Sequence, residues 1–199
     1  MKISKITSGL FSTNSYFLQT GEYNYLIDAP DQNEKMVEII KEEGRLDAIL
    51  LTHGHFDHTL GLKNVLSLFP NTPIYLERED WPMLEKDNKK YMAMCNLSLD
   101  YEVPQSINLL PYEEKIPSVE IIKSPGHTLG SVSIYLKEEN ILFSGDTLFS
   151  SGYGRTDLGG NYSLLLSSLK KLLTLSEDTR VEPGHGGFTT IGREKAILF

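Results

Sequence analysis

Seven consecutive residues, Thr52-His53-Gly54-His55-Phe56-Asp57-His58, carry three imidazoles and one carboxylate in six positions. That density suits neither a core, where titratable groups need partners, nor an ordinary surface. Imidazole and carboxylate together are the ligand set of zinc, iron and manganese. In extended backbone, residues two apart project to the same side, so His53 and His55 can reach one ion together. Asp57 and His58 are sequence neighbours and are better placed to face a second ion.

Secondary structure has to deliver these side chains. Asp47–Leu51 reads as a short apolar strand that runs directly into the cluster, and Leu60, Val65, Leu66 and Phe69 recur at near-helical spacing until Pro70. The cluster thus lies between a strand's C-terminal end and a helix N-terminus, where open α/β layers place ligand sites and where anions are favoured. Upstream, residues 2–7, 14–19 and 23–28 alternate as strands do, with a turn at Gly21-Glu22. Asp31 with Glu34 predicts a capping box, opening a helix through Met36, Ile39 and Ile40 that Gly44 stops.

Downstream, Pro73–Leu76 predicts a strand and Glu77–Lys90 a mostly polar helix with Pro82 in its first turns. The apolar stretch Tyr91–Leu97 is expected in the core, with a cleft wall as the alternative. Val119–Lys123, Ser131–Leu136 and Ile141–Ser144 predict strands, the last two forming a hairpin over Glu138-Glu139-Asn140. Leu164, Leu165, Leu169, Leu172 and Leu173 mark an amphipathic helix, and Arg180–Glu182 a last short strand. Strands, helices, strands and a helix, in that order, give a mixed α+β pattern.

Three later residues repeat the context of the first cluster, each following a predicted strand. His127 stands in Pro125-Gly126-His127-Thr128, Asp146 in Ser144-Gly145-Asp146-Thr147, and His185 in Pro183-Gly184-His185-Gly186. Singly, each reads as a hydrogen-bonded turn residue. Together with the first cluster they place all five histidines of the chain at strand ends. Counting ligands then supports two ions: His53, His55 and His127 for one, Asp57, His58 and His185 for the other, with Asp146 bridging. Two divalent cations and two carboxylates leave the centre at about +2, enough to hold a bridging hydroxide at neutral pH.

Composition bounds the rest. A chain of 199 residues fits one domain, 1–199, and its 40% hydrophobic and 23% charged content is that of an ordinary soluble protein. The net charge of −8, with no offsetting Lys/Arg cluster, argues against a nucleic-acid partner. No apolar run reaches the length of a membrane span, and polar residues interrupt the N-terminus where a signal peptide would be hydrophobic. The one cysteine, Cys95, fits a reducing compartment, so a cytoplasmic location is expected. Nothing in the sequence sets an oligomeric state.

With its ligand motifs in place, the sequence resembles the metallo-β-lactamase superfamily, and within it the glyoxalase II-like (hydroxyacylglutathione hydrolase-like) branch. The likeness rests on T-H-G-H-F-D-H, P-G-H-T, S-G-D-T and P-G-H-G and runs from about Asn14 to Phe199. It implies a four-layer αββα sandwich with a dinuclear centre split as the count above splits it. Asp28, in L-I-D-A-P, matches an early Asp that supports the ligands from behind. G-R-T-D-L-G-G (Gly154–Gly160) and T-T-I-G-R-E (Thr189–Glu194) resemble later signatures of that branch. Asp57 in place of a Cys ligand separates the chain from many β-lactamases, and His55 in place of Glu separates it from flavodiiron proteins. Arg155 matches a basic residue that contacts glutathione, whereas Asp157 stands where that branch has Tyr; a substrate-carboxylate contact and a structural ion pair are the two readings of Arg155.

The expected activity is hydrolysis of a small-molecule thioester, of the S-lactoylglutathione type, with Asp57 orienting the attacking hydroxide as well as binding metal. Two divalent ions are expected, zinc first, with iron and manganese as alternatives. A persulfide dioxygenase using one iron through His53, His127 and Asp146 is the second reading. A binding module without catalysis is the third, which the intact ligand set disfavours.

Overall fold

Alternating polar and apolar residues at the amino terminus build a meander: β1 (Lys2–Ser8), β2 (Thr13–Gln19) and β3 (Asn24–Ile27), each antiparallel to the one before. The computed structural model describes residues 1–98, 101–103, 107–113 and 115–198. Phe199, where the resemblance ends, lies outside the described residues. The chain divides into two units, Met1–Tyr112 and Glu113–Phe199.

In the first unit three parallel strands extend the meander: β4 (Ala48–Leu50), β5 (Ile74–Tyr75) and β6 (Leu109–Leu110), in the order β1-β2-β3-β4-β5-β6. Parallel neighbours need crossovers, and helices supply them. One is α1 (Glu34–Glu43), stopped by Gly44 in the left-handed conformation at φ 69°. The helix start differs from the expected capping box. Its N-cap is Asn33, and the Asn33 carboxamide is spent on Gly61 O and Asn64 instead of the helix end.

The helix expected after His58 is two short ones, α2 (Phe56–Thr59) and α3 (Leu62–Leu68). They part at Leu60-Gly61 because that turn docks on the end of β3: Ala29 N–H donates to His58 O and Gly61 N–H to Ala29 O, both at 2.8 Å. The polar helix expected over Glu77–Lys90 is also broken. A 3₁₀ turn at Arg78–Asp80 and a π turn at Met83–Asp87 precede α4 (Asn88–Met94). Asp80 and Asn88 point into the protein there, which a continuous solvated helix would not allow.

Of Tyr91–Leu97, expected in the core, only Met92 is buried; the other six residues are half-buried or exposed. Met92 is buried with Phe56 and Tyr101, while Tyr91 lies edge-on to His55 at 5.7 Å. The core of this unit joins Phe17, Leu26, Ile49 and Ile74 from the sheet to Met36, Ile40, Leu62 and Val65 from α1 and α3.

In the second unit, β7 (Glu120–Lys123), β8 (Val132–Leu136) and β9 (Ile141–Gly145) form an antiparallel meander. β10 (Leu148–Phe149) and β11 (Gly152–Tyr153) pair as a small ribbon. The amphipathic helix α5 (Tyr162–Leu172) is capped by Asn161, whose side chain accepts from Leu164 N–H. After it β12 (Arg180–Pro183) pairs parallel to β9, and β13 (Thr189–Thr190) leads into α6 (Ile191–Leu198). The sheet order is β13-β12-β9-β8-β7. Leu165, Leu169 and Leu172 of α5 pack against Ile122, Leu142 and Val181 of the sheet.

Each unit thus pairs a mixed sheet with helices, as the α+β reading expects. Among the described residues no helix is long and apolar enough to cross a membrane. Ile49 on β4 is fully buried immediately upstream of the histidine cluster. Ile49→Ala is expected to destabilise the protein by about 2–5 kcal/mol, read as a lower urea midpoint.

Candidate metal centre

Parallel strands end on the same edge of a sheet, and that rule gathers the first ligand group. Asp28 follows β3, the histidine cluster follows β4, and Tyr112 follows β6. Tyr112 donates to Leu51 O at 3.1 Å, and burial, with the nearby Asp28 and Glu77 carboxylates, pushes its hydroxyl well above its ordinary pKa. It therefore stays a donor and closes the edge above β4.

Within the first unit the four expected donors form a row. His53 neighbours both His55 and His58, with ring centroids 4.9 and 4.2 Å away, and His58 Nε2 lies 3.7 Å from Asp57 Oδ2. His53, His55 and His58 are buried; Asp57, at 16% side-chain exposure, is the open end of the row. Thr13 Oγ1 reaches Asp57 Oδ2 at 3.4 Å.

What stands behind the row decides which nitrogen faces forward. Asp28 accepts from Thr52 N–H, from Thr52 Oγ1–H and from His58 Nδ1, all at 2.8 Å. Thr52 has one hydroxyl hydrogen and gives it to Asp28, so the 3.1 Å contact between Thr52 Oγ1 and His53 Nδ1 is a bond donated by the imidazole. His53 and His58 therefore both carry hydrogen on Nδ1 and present the Nε2 lone pair. Asp28 holds this position with φ 56°, a left-handed backbone that Asp tolerates at a cost of about 1 kcal/mol. Its carboxylate bonds offset that cost.

The second unit builds its own group by the same rule. β7, β9 and β12 run in one direction, so His127, Asp146 and His185 come off one edge of the sheet. Asp146 Oδ2 lies 3.6 Å from His127 Nε2 and 3.3 Å from His185 Nε2. One carboxylate oxygen thus lies near two imidazole nitrogens. His127 Nδ1 donates to the backbone carbonyl of Arg155 at 2.7 Å, which again leaves Nε2 forward. His185, with a quarter of its side chain exposed, is the open member.

The glycine-rich stretch after Asp146 now has a physical reading. A Cβ at Gly154 would fall 2.0 Å from Asp146 O and 2.9 Å from His127 Nδ1; one at Gly160 would fall 2.3 Å from the carbonyls of Gly126 and His127. The loop has to lie against the backbone of His127 and Asp146, and only glycine fits. T-T-I-G-R-E is explained as well: buried Glu194 accepts from Thr189 Oγ1 at 2.6 Å and from Ser151 N–H at 2.8 Å, pinning the loop that begins after β10. The Arg155 guanidinium forks onto Asp157, whose carboxyl it holds at about 2. Of the two readings of Arg155, the ion pair is the contact present.

Two residues near the first group escaped the sequence reading. Asp80 accepts from Gly54 N–H and Asn88 donates to Gly54 O, each at 2.9 Å, and both side chains are fully buried. They occur in a run of charged and polar residues, and no pattern there distinguishes them from a solvated helix face.

The donor chemistry fits divalent metal. The first unit offers two buried imidazoles, His53 and His58, whose Nδ1 atoms are engaged from behind, and the second offers one, His127; in each unit a carboxylate lies near the Nε2 atoms. Orienting bonds of that kind fix the tautomer and raise the basicity of histidine ligands.

The chain is similar to known proteins in sequence and fold. The sequence model of the Metallo-beta-lactamase superfamily matches residues 8–185. A probable metallo-hydrolase of Bacillus subtilis, YqgX, is 35% identical over 98% of this chain and 95% of its own length. Hydroxyacylglutathione hydrolase GloC of Haemophilus influenzae is 33% identical over the same shares of the two chains. The crystal structure of TTHA1623 in a di-iron-bound form superposes with a TM-score of 0.88 at 35% identity, covering 98% of each chain. The fold is the one the resemblance implied, and the chain belongs to the metallo-β-lactamase superfamily, among its metal-dependent hydrolases.

Proposed function

We propose that His53, His55 and His127 hold one divalent metal ion, that Asp57, His58 and His185 hold a second with Asp146 between them, and that the protein hydrolyses thioesters of a small thiol. The observation that carries this reading is the shared tautomer: His53, His58 and His127 each turn Nδ1 away, to Thr52, Asp28 and the Arg155 carbonyl. The di-iron form of TTHA1623 supports two ions, and the name of the Haemophilus relative supports an acyl-thiol substrate. Zinc is our first choice of metal, with iron and manganese able to use the same donors.

Bound at such donors, two divalent ions supply a water of pKa lowered toward about 7 and polarise an acyl carbonyl. The chain's own part is to orient and to hold charge. Asp57, tethered by Thr13 Oγ1, sets the direction of the attacking water by accepting its hydrogen. A thiolate leaves without needing a proton, so no general acid has to be found.

Arg155 is the candidate for a substrate carboxylate. Its pair with Asp157 is largely exposed and worth about 0–1 kcal/mol, so exchanging Asp157 for a substrate costs little. Cys95 fits the reducing environment in which small thiols serve as acyl carriers, which supports a cytoplasmic setting.

Metal-loaded protein is expected to turn over at least one of several acyl-thiols, S-lactoylglutathione among them. Absence of turnover on every thioester tried would remove the substrate class, and one iron per chain with oxygen uptake on a persulfide would replace hydrolysis by dioxygenation. Asp57→Asn should lower kcat by about 10²-fold or more, the usual loss for a proton-handling group, with the fold retained by circular dichroism. Asp28→Asn should weaken metal binding by about 10–100-fold in competition with a chromophoric chelator, because His58 loses its carboxylate partner.

A further inference from the structure

Gly54 separates His53 from His55, and the two peptide planes that flank it set the directions of both side chains. Its N–H belongs to the plane shared with His53; its carbonyl belongs to the plane shared with His55. Each of these groups is held by a buried side chain from far along the sequence. Asp80 takes the N–H at 2.9 Å, and the Asn88 amide gives a hydrogen to the carbonyl at 2.9 Å.

Asn88 has a second amide hydrogen, and it too leads to this backbone. It donates to Tyr101 OH at 2.9 Å; Tyr101 OH meets Thr59 Oγ1 at 3.1 Å; Thr59 Oγ1 donates to His55 O at 3.0 Å. With one hydrogen on each hydroxyl, the chain runs in a single sense from Asn88 through Tyr101 and Thr59 to His55. A Cβ at Gly54 would stand 2.9 Å from Asp80 O and 3.1 Å from Asp80 Cβ and Met83 Cβ, so the loop and this wall are in contact. Burying a carboxylate and a carboxamide completely is costly unless their bonds matter.

We propose that Asp80 and Asn88 are positioning residues, which orient His53 and His55 toward a metal ion by clamping the two peptides of Gly54. This rests on the reading that His53 and His55 bind metal. Neither residue contacts the ion; both act through the backbone. The irregular 3₁₀ and π turns of 78–87 are then explained, since a regular helix would not direct residues 80 and 88 at the same glycine.

The test compares Asp80→Ala, Asp80→Asn and Asn88→Asp with the parent protein. Cobalt(II) is the probe, with affinity from chelator competition and ligand geometry from the visible absorption of bound cobalt; circular dichroism of metal-free protein monitors the fold. Asp80→Ala and Asn88→Asp should each weaken cobalt binding by about 10–100-fold and shift the absorption bands. Asp80→Asn keeps an acceptor for Gly54 N–H and should restore parental affinity and spectrum. Parental affinity and bands in Asp80→Ala and Asn88→Asp would overturn the proposal, as would Asp80→Asn behaving like Asp80→Ala. If Asn88→Asp fails to fold, the two Asp80 variants decide. A parent protein that binds no cobalt would overturn the metal reading and this one with it, an outcome separable from variants that bind as the parent does.

Discussion

One carboxylate, that of Asp28, holds the first ligand group together. It comes off β3, takes the backbone and hydroxyl hydrogens of Thr52 at the end of β4, and takes the imidazole hydrogen of His58 from α2. Strand pairing alone would bring these segments near one another but would leave the rings free to turn. With Asp28 in place, His58 is fixed directly and His53 is fixed through Thr52. The cost is a buried carboxylate on left-handed backbone, offset by the three hydrogen bonds its two oxygens accept.

The second unit reaches the same end with neutral groups. A main-chain carbonyl does for His127 what a carboxylate does for His58, and the strand order does for Asp146 and His185 what the Asp28 bridge does for the histidine row. Sheet geometry carries more of the work there. Gly184 N–H bonded to Gly145 O at 2.8 Å locks the ends of β12 and β9, and His185 and Asp146 follow one residue later.

How much of this was legible in the sequence depended on the range of the interaction. His53, His55, Asp57, His58, His127, Asp146 and His185 stand out because each sits in a short motif beside an apolar strand, and Asp28 by its resemblance to a family position. The strands of both meanders were legible from alternation, with ends off by a residue or two. Asp80 and Asn88 were not legible: their bonds to Gly54 span 26 and 34 residues. The broken helices failed for the same reason. Leu60-Gly61 and Arg78–Asp87 have helical spacing locally, and contacts with the ends of β3 and the histidine loop override it. Asn33 likewise forms its bonds with Gly61 and Asn64, about thirty residues away, instead of capping its own helix.

The bond from His127 to residue 155 ends on a main-chain oxygen, which every amino acid possesses. Arginine is therefore not required there for the integrity of the ligand. Its side chain lies outside, paired with Asp157 on an exposed loop, while Gly154 and Gly160 bear the steric demands of the close approach. Mutation can rewrite the charge and reach of residue 155 without disturbing the imidazole behind it. The outer face of that loop can thus change at position 155 while the orientation of the His127 ring stays as it is.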